Sequence, residues 1–216
     1  MKEVVFWDVD TQYDFIMPDG RLQVPGAVEI LPHLARLTQL ARRNRSRIQV
    51  VASMDDHQLT DEEISEQPDF TRTFPPHCMR GSIGQMKVIS TEPLNGWVVP
   101  HQELSAAELD QKLRSHQGEI VILKKALDVF SNPNTERIVH HLDPREIYVY
   151  GVALDYCDAC AVEGFLRLHR RNLYLVLDAT EAIDRRRGRE LVEDWTHRGV
   201  KVLSTDQVCA SFGGPA

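Results

Sequence analysis

Cys157 combines a nucleophilic side chain with a placement suited to chemistry. It ends the run Gly151-Val152-Ala153-Leu154-Asp155-Tyr156-Cys157, between the apolar pattern at 147–150 and a helical pattern from Asp158. A thiol there meets the positive end of a helix dipole and free backbone N–H groups. Those groups favour a thiolate and can receive an oxyanion. A free cysteine is more often an inert apolar core residue. Cys157-Asp158-Ala159-Cys160 is also a C-x-x-C pair, a redox spacing, although the Trp, Gly and Pro that usually flank that motif are absent.

Other reactive groups follow other apolar runs. Asp10 opens Asp10-Thr11-Gln12-Tyr13-Asp14-Phe15. A carboxylate at a strand end serves as a general base when its surroundings tune it, and Asp10 and Asp14 would equally suit a turn or a helix cap. Lys124-Lys125 follows Ile120–Leu123. A lysine beside base and nucleophile would hold both charged, whereas the commonplace role is a solvated cation. Asp55-Asp56-His57 and, further on, Phe74-Pro75-Pro76-His77-Cys78 supply a carboxylate and two imidazoles. Asp55 and His57, two apart in extended chain, point the same way, and with His77 they suit a first-row divalent metal with open positions.

The elements that must position these residues are legible as alternation. Strand patterns cover Val4–Val9, Ile48–Ala52, Ile120–Leu123, Ile147–Tyr150, Leu173–Leu177 and Lys201–Leu203. Several are apolar almost throughout, as strands buried on both faces are. Helical spacing covers Ala27–Arg42, Ser105–Ser115, Asn134–His141, Asp158–Arg170 and Gly188–His197. Ser105 with Glu108 reads as a capping box, and Pro133 as a helix-initiating proline. The expected fold class is α/β: a three-layer fold with a mostly parallel six-stranded sheet covered by helices on both faces, in a single domain over 1–216. Ligands of such sheets sit beyond the carboxyl ends of the strands. Residues 53–103, rich in proline and polar residues, form the long interruption, and such length points to function.

The net charge of −7 argues against nucleic acid or an anionic membrane as partner. Four unevenly spaced cysteines do not make a disulfide scaffold. With no signal core or spanning run, a cytoplasmic protein is expected.

In their order, D-x-Q-x-D-F, D-x-H, P-P-H-C, a strand-end lysine and G-V-A-x-D-Y-C, these motifs resemble the isochorismatase-like cysteine hydrolases and their nicotinamidase branch. The resemblance runs from Asp10 to about Asp178. It implies Asp10 as general base, Lys124 as triad lysine and Cys157 as nucleophile. It implies a cis peptide between Val152 and Ala153, with the Ala153 and Cys157 amides as oxyanion hole. Asp55, His57 and His77 match metal ligands, with Glu66 and Asp69 as candidates for a fourth. The metal is expected to be zinc, with manganese or iron as alternatives. Phe15 and Phe74 match aromatic positions around a substrate ring. Phe74 stands where nicotinamidases usually carry Trp, Asp158 where an apolar residue is common, and Lys125 where many relatives have Gly. The activity implied is amide hydrolysis through a thioester, nicotinamide first, in a homo-oligomer. The alternatives are another small amide, ureide or carbamoyl compound, a non-catalytic binding domain of this type, and a thiol–disulfide reductase.

Overall fold

Val4–Val9 (β1) is buried at every position, so its alternate side chains serve two cores. Val4 and Phe6 enter one apolar cluster, and Val5, Trp7 and Val9 enter the other, across the sheet. The structure, a computed structural model, describes residues 2–169 and 172–213.

The remaining strands are Ile48–Asp55 (β2), Trp97–Val99 (β3), Ile120–Lys124 (β4), Glu146–Val152 (β5), Leu173–Glu181 (β6) and Lys201–Leu203 (β7). They lie in the order β3-β4-β2-β1-β5-β6-β7, and every pairing is parallel. The sheet therefore has seven strands, not six. The extra strand, β3, is a three-residue edge strand with Val98 half exposed, inside the proline-rich interruption. A run so short carries no readable periodicity.

The helices are Tyr13–Ile16 (α1), Leu31–Arg43 (α2), Ala106–Ser115 (α3), Thr135–Leu142 (α4), Cys157–Arg167 (α5), Arg185–His197 (α6) and Thr205–Ser211 (α7). Leu34 and Leu37 of α2 and Val208 of α7 pack on one face of the sheet. Leu109 of α3, Ile138 of α4, Phe165 of α5 and Trp195 of α6 pack on the other. Ser105 and Glu108 form the expected reciprocal capping box. The expected helix over 27–42 divides into a 3₁₀ turn, Ala27–Ile30, and then α2. Pro133 lies just before the N-cap Asn134 rather than in the first turn of α4. The expected end of α5 at Arg170 falls outside the described residues. Among the described residues no helix is long and apolar enough to cross a membrane.

From β1 the chain builds the sheet outward on one side through β2, then resumes on the other side with β5. The crevice between the ends of β1 and β5 is the switch point where ligands of such sheets bind. Gly151 permits the close approach of β5 to β1: its φ is 134°, and a Cβ there would lie 2.0 Å from the Val9 carbonyl oxygen.

Candidate active site

Sheet register brings the reactive side chains together. Asp55 and Lys124 end adjacent strands and are paired residues. Asp10 follows β1 directly, in a left-handed conformation (φ 45°) that Asp tolerates better than most residues. Its Oδ1 accepts a hydrogen bond from Ser53 Oγ at 2.8 Å. Its Oδ2 lies 3.0 Å from Lys124 Nζ. The same ammonium is bonded to Asp55 Oδ1 and lies 3.6 Å from Cys157 Sγ. Asp10, Lys124 and Cys157 thus meet through Lys124, at the carboxyl edge of the sheet. Lys125 instead turns outward to Asp61, at 2.7 Å.

All these groups are buried, and burial disfavours charge. It pushes the Asp10 carboxyl above its ordinary value, although Lys124 opposes it. Burial also works against the Lys124 ammonium, but Asp10 and Asp55 outweigh it and hold that pKa well above the usual lysine range. At Asp55 burial is overcome by Lys124 and the two imidazoles, so its carboxyl stays well below the usual range. The Cys157 thiol is pushed well up by burial, with Lys124 opposing. These directions favour an ammonium at Lys124 and a carboxylate at Asp55, and at Cys157 a thiol that needs a base.

A second cluster shares Asp55. Ligand atoms of Asp55, His57, Glu63 and His77 all lie within 4.8 Å of one another. His57 Nε2 and His77 Nε2 are each 3.7 Å from Asp55 Oδ2, and 3.9 Å and 4.0 Å from Glu63 Oε1. These separations exceed a hydrogen bond. Asp55 Oδ2, both His57 ring nitrogens and Glu63 Oε1 are buried without a hydrogen-bond partner. Buried polar atoms that converge unpaired fit a shared cation, and imidazole with carboxylate suits a first-row divalent metal. The Nδ1 of His77 lies 2.8 Å from the Pro75 carbonyl, which leaves Nε2 free to ligate.

The loop between β2 and β3 is built to assemble this cluster. The His57 N–H donates to the Cys78 carbonyl, and the Arg80 N–H donates to that of His57. The Phe74 N–H donates to the Glu63 carbonyl at 2.8 Å, which sets Glu63 opposite the aromatic position. Asp14 accepts from the Cys78 N–H at 2.7 Å, so it does not act at the site itself but anchors the segment carrying His77. The fourth member is Glu63, not Glu66 or Asp69. Glu66 is exposed, and the exposed Asp69 accepts the backbone N–H groups of Thr71, Arg72 and Thr73.

Beside both clusters lies a narrow, mostly apolar cleft. Phe15, Phe74, His77, Tyr156, Ala153 and Cys157 are among its walls, with Leu127 and Ile183. Phe74 meets Tyr156 edge to face at 5.9 Å, and the Arg187 guanidinium lies 5.4 Å from the centre of the Tyr156 ring. The Val152–Ala153 peptide is cis. Tyr156 and Asp158 donate their N–H groups to the Ala153 carbonyl. Among the described residues the Ala153 and Cys157 N–H groups have no backbone acceptor, so both remain free for an anion.

Sequence reasoning missed Glu63, Gln12 and Ser53. Gln12 braces Asp55 from both sides: its amide donates to the Asp55 carbonyl at 2.9 Å and accepts the Asp55 N–H at 2.7 Å. The invitation to look at Glu63 was the acidic run Asp61-Glu62-Glu63 after His57, but only burial separates Glu63 from its neighbours.

Comparison with known proteins places the chain in a family and a fold. Residues 5–207 match the family described as the Isochorismatase domain. A protein of Arabidopsis thaliana named a probable inactive nicotinamidase is 21% identical over 174 residues, 81% of this chain and 78% of that relative. The pyrazinamidase of Pyrococcus horikoshii, solved in complex with zinc, superposes with a TM-score of 0.69 at 21% identity, covering 94% of this chain and 99% of that one. The N-carbamoylsarcosine amidase of Thermoplasma acidophilum gives 0.69 at 24% identity, covering 95% and 98%.

Proposed function

This chain belongs to the isochorismatase family of hydrolases, and we propose that it is a cysteine-dependent amidohydrolase whose best-supported substrate is nicotinamide, released as nicotinate and ammonia. One observation carries the reading. Lys124 touches Asp10, Cys157 and Asp55 at once, so a thiol-activating group and a metal-type cluster open on the same aromatic cleft.

The chemistry follows from the placements. Asp10 takes the Cys157 proton, and Lys124, in contact with both, compensates the charge on each. The thiolate attacks the carboxamide carbon, and the Ala153 and Cys157 N–H groups hold the oxyanion. Protonated Asp10 gives its proton to the departing ammonia, which leaves a thioester. Asp10 then activates the water that releases the acid. Phe15 and Phe74 flank the substrate ring. Asp55, His57, Glu63 and His77 would hold one divalent metal, zinc foremost, with manganese or iron as alternatives. When bound, the metal supplies Lewis-acid coordination that orients a ring nitrogen or a water. The zinc complex of the Pyrococcus pyrazinamidase supports both the metal and the aromatic amide.

A carbamoyl or ureide amide is the second reading. It is supported by the likeness to N-carbamoylsarcosine amidase and by Phe74, a smaller wall than the Trp usual in nicotinamidases. The Arabidopsis relative is named inactive, but here Asp10, Lys124 and Cys157 are all present and joined, which supports activity. The test is ammonia release from nicotinamide, pyrazinamide and small ureides, with and without chelator. Chelator-sensitive release from nicotinamide is expected. Release from ureides alone would move the assignment to the second reading, and release from none would remove the amidase reading.

A further inference from the structure

We propose that Cys157 and Cys160 form an oxidation site, in which hydrogen peroxide converts the nucleophile reversibly into an intrahelical disulfide. The C-x-x-C spacing has no role in amide hydrolysis, yet the fold places it at a position where both thiols can meet. Cys157 is the first residue of α5, and Cys160 lies three residues on. Helix rise and radius put Cα atoms three apart at about 5 Å, inside the range a disulfide requires. Side chains at that spacing share a face, with Cβ atoms roughly 5–6 Å apart, so closing the bond needs a movement of about 2 Å in the first turn. The movement falls in the first turn of α5, where the Cys160 N–H donates to the Tyr156 carbonyl at 3.0 Å and the Cys157 N–H carries no intrahelical bond to break.

The two thiols have distinct roles. Cys157 lines the cleft, where a molecule as small as peroxide reaches it, and it alone has Lys124 at 3.6 Å and Asp10 just beyond to stabilise and generate the thiolate. Cys160 is half-buried, and the pair's other candidates, Cys78 and Cys209, are buried on other segments. Burial pushes the Cys160 thiol up to about 11, with Asp128 adding and Lys124 opposing, so it waits as a neutral thiol.

The steps balance. The Cys157 thiolate attacks one peroxide oxygen. The O–O bond breaks, hydroxide leaves, and sulfur is oxidised by two electrons to the sulfenic acid. Cys160 then attacks that sulfur. The S–S bond forms, the S–O bond breaks, and the Cys160 proton leaves with the hydroxide as water. Overall, two thiols and one peroxide give one disulfide and two waters. The bond blocks the nucleophile but spares it from the sulfinic acid, which thiols do not reverse.

The test is peptide mass mapping of peroxide-treated protein before and after dithiothreitol, on the wild type, Cys160→Ser and Cys160→Ala. The mass readout does not depend on which amide the enzyme hydrolyses. In the wild type, the expected result is a Cys157–Cys160 link with the mass of two hydrogens lost, fully removed by dithiothreitol. In both variants Cys157 should instead gain two oxygens that dithiothreitol leaves in place. Three results would each overturn the proposal: Cys157 of the wild type gaining oxygens without a link, a link through Cys78 or Cys209, or equal recovery of the Cys157 thiol in wild type and variants.

Discussion

Asp55 and Lys124 are register partners at the ends of neighbouring parallel strands, and the carboxylate of one is bonded to the ammonium of the other. Through this pair the two clusters of the site are one network: Lys124 turns on to Asp10 and Cys157, while the other oxygen of Asp55 faces His57 and His77. A change at either residue therefore reaches both the thiol and the metal-type cluster.

Lys124→Met removes the cation among Asp10, Asp55 and Cys157. Breaking a buried ion pair on one side costs about 3–5 kcal/mol, so the urea midpoint should fall clearly. Turnover should drop on the order of a thousandfold or more, as for the loss of a member of a catalytic triad. A folded Lys124→Met protein with wild-type turnover would remove the lysine from the mechanism.

Glu63→Gln tests the fourth ligand. Its Oε1 is buried and unpaired beside His57 and His77. Metal affinity, measured by competition with a chelating dye, should weaken by at least about tenfold. Glu66→Gln and Asp69→Asn, both on exposed residues, should bind metal as the wild type does. Equal affinity in all three variants would exclude Glu63 as a ligand.

Cys157→Ala should leave circular dichroism and the melting temperature near wild type while ammonia release falls to background. The substitution removes one sulfur from a cleft wall, where the role of the side chain is chemical. A variant that loses its fold, or that still turns over, would return Cys157 to the status of a packing residue.

Asp158 links stability to pH. Both its carboxyl oxygens are buried without a hydrogen-bond partner, and burial, with Asp10 adding, pushes its pKa well above the ordinary carboxylate range. The folded state therefore binds this proton more tightly than the unfolded state. Stability from this group is intact below the unfolded value near ~3.9 and is lost as pH rises toward the folded value, at about 1.4 kcal/mol per pH unit. Asp158→Val should unfold at higher urea than the wild type at pH 7, and the gap should narrow toward pH 4. The subtraction between proteins cancels the titrating groups that lie far from Asp158. A gap independent of pH would mean that Asp158 is not held neutral.

The sequence by itself determined the strand ends and what stands on them. Largely apolar runs before Asp10, Asp55, Lys124 and the Gly151–Cys157 segment mark buried parallel strands, and the carboxyl ends of such strands converge on one edge. The Asp55-x-His57 pair and the Ser105–Glu108 cap were legible for the same reason: each is a local pattern within a few residues. Only the tertiary structure decided which of the two lysines turns inward, because the choice depends on β4 pairing with β2 some seventy residues away. Tertiary contacts also decided that Glu63 joins the metal-type cluster, while Glu66 and Asp69 remain at the surface. The Phe74 N–H that holds the Glu63 backbone belongs to a separate part of an irregular loop. The brace of Gln12 on Asp55 spans 43 residues, and β3 is a strand only because β4 lies beside it. Contacts between distant segments leave no periodicity in the chain, and burial, which selects among chemically identical carboxylates, exists only once the chain has folded.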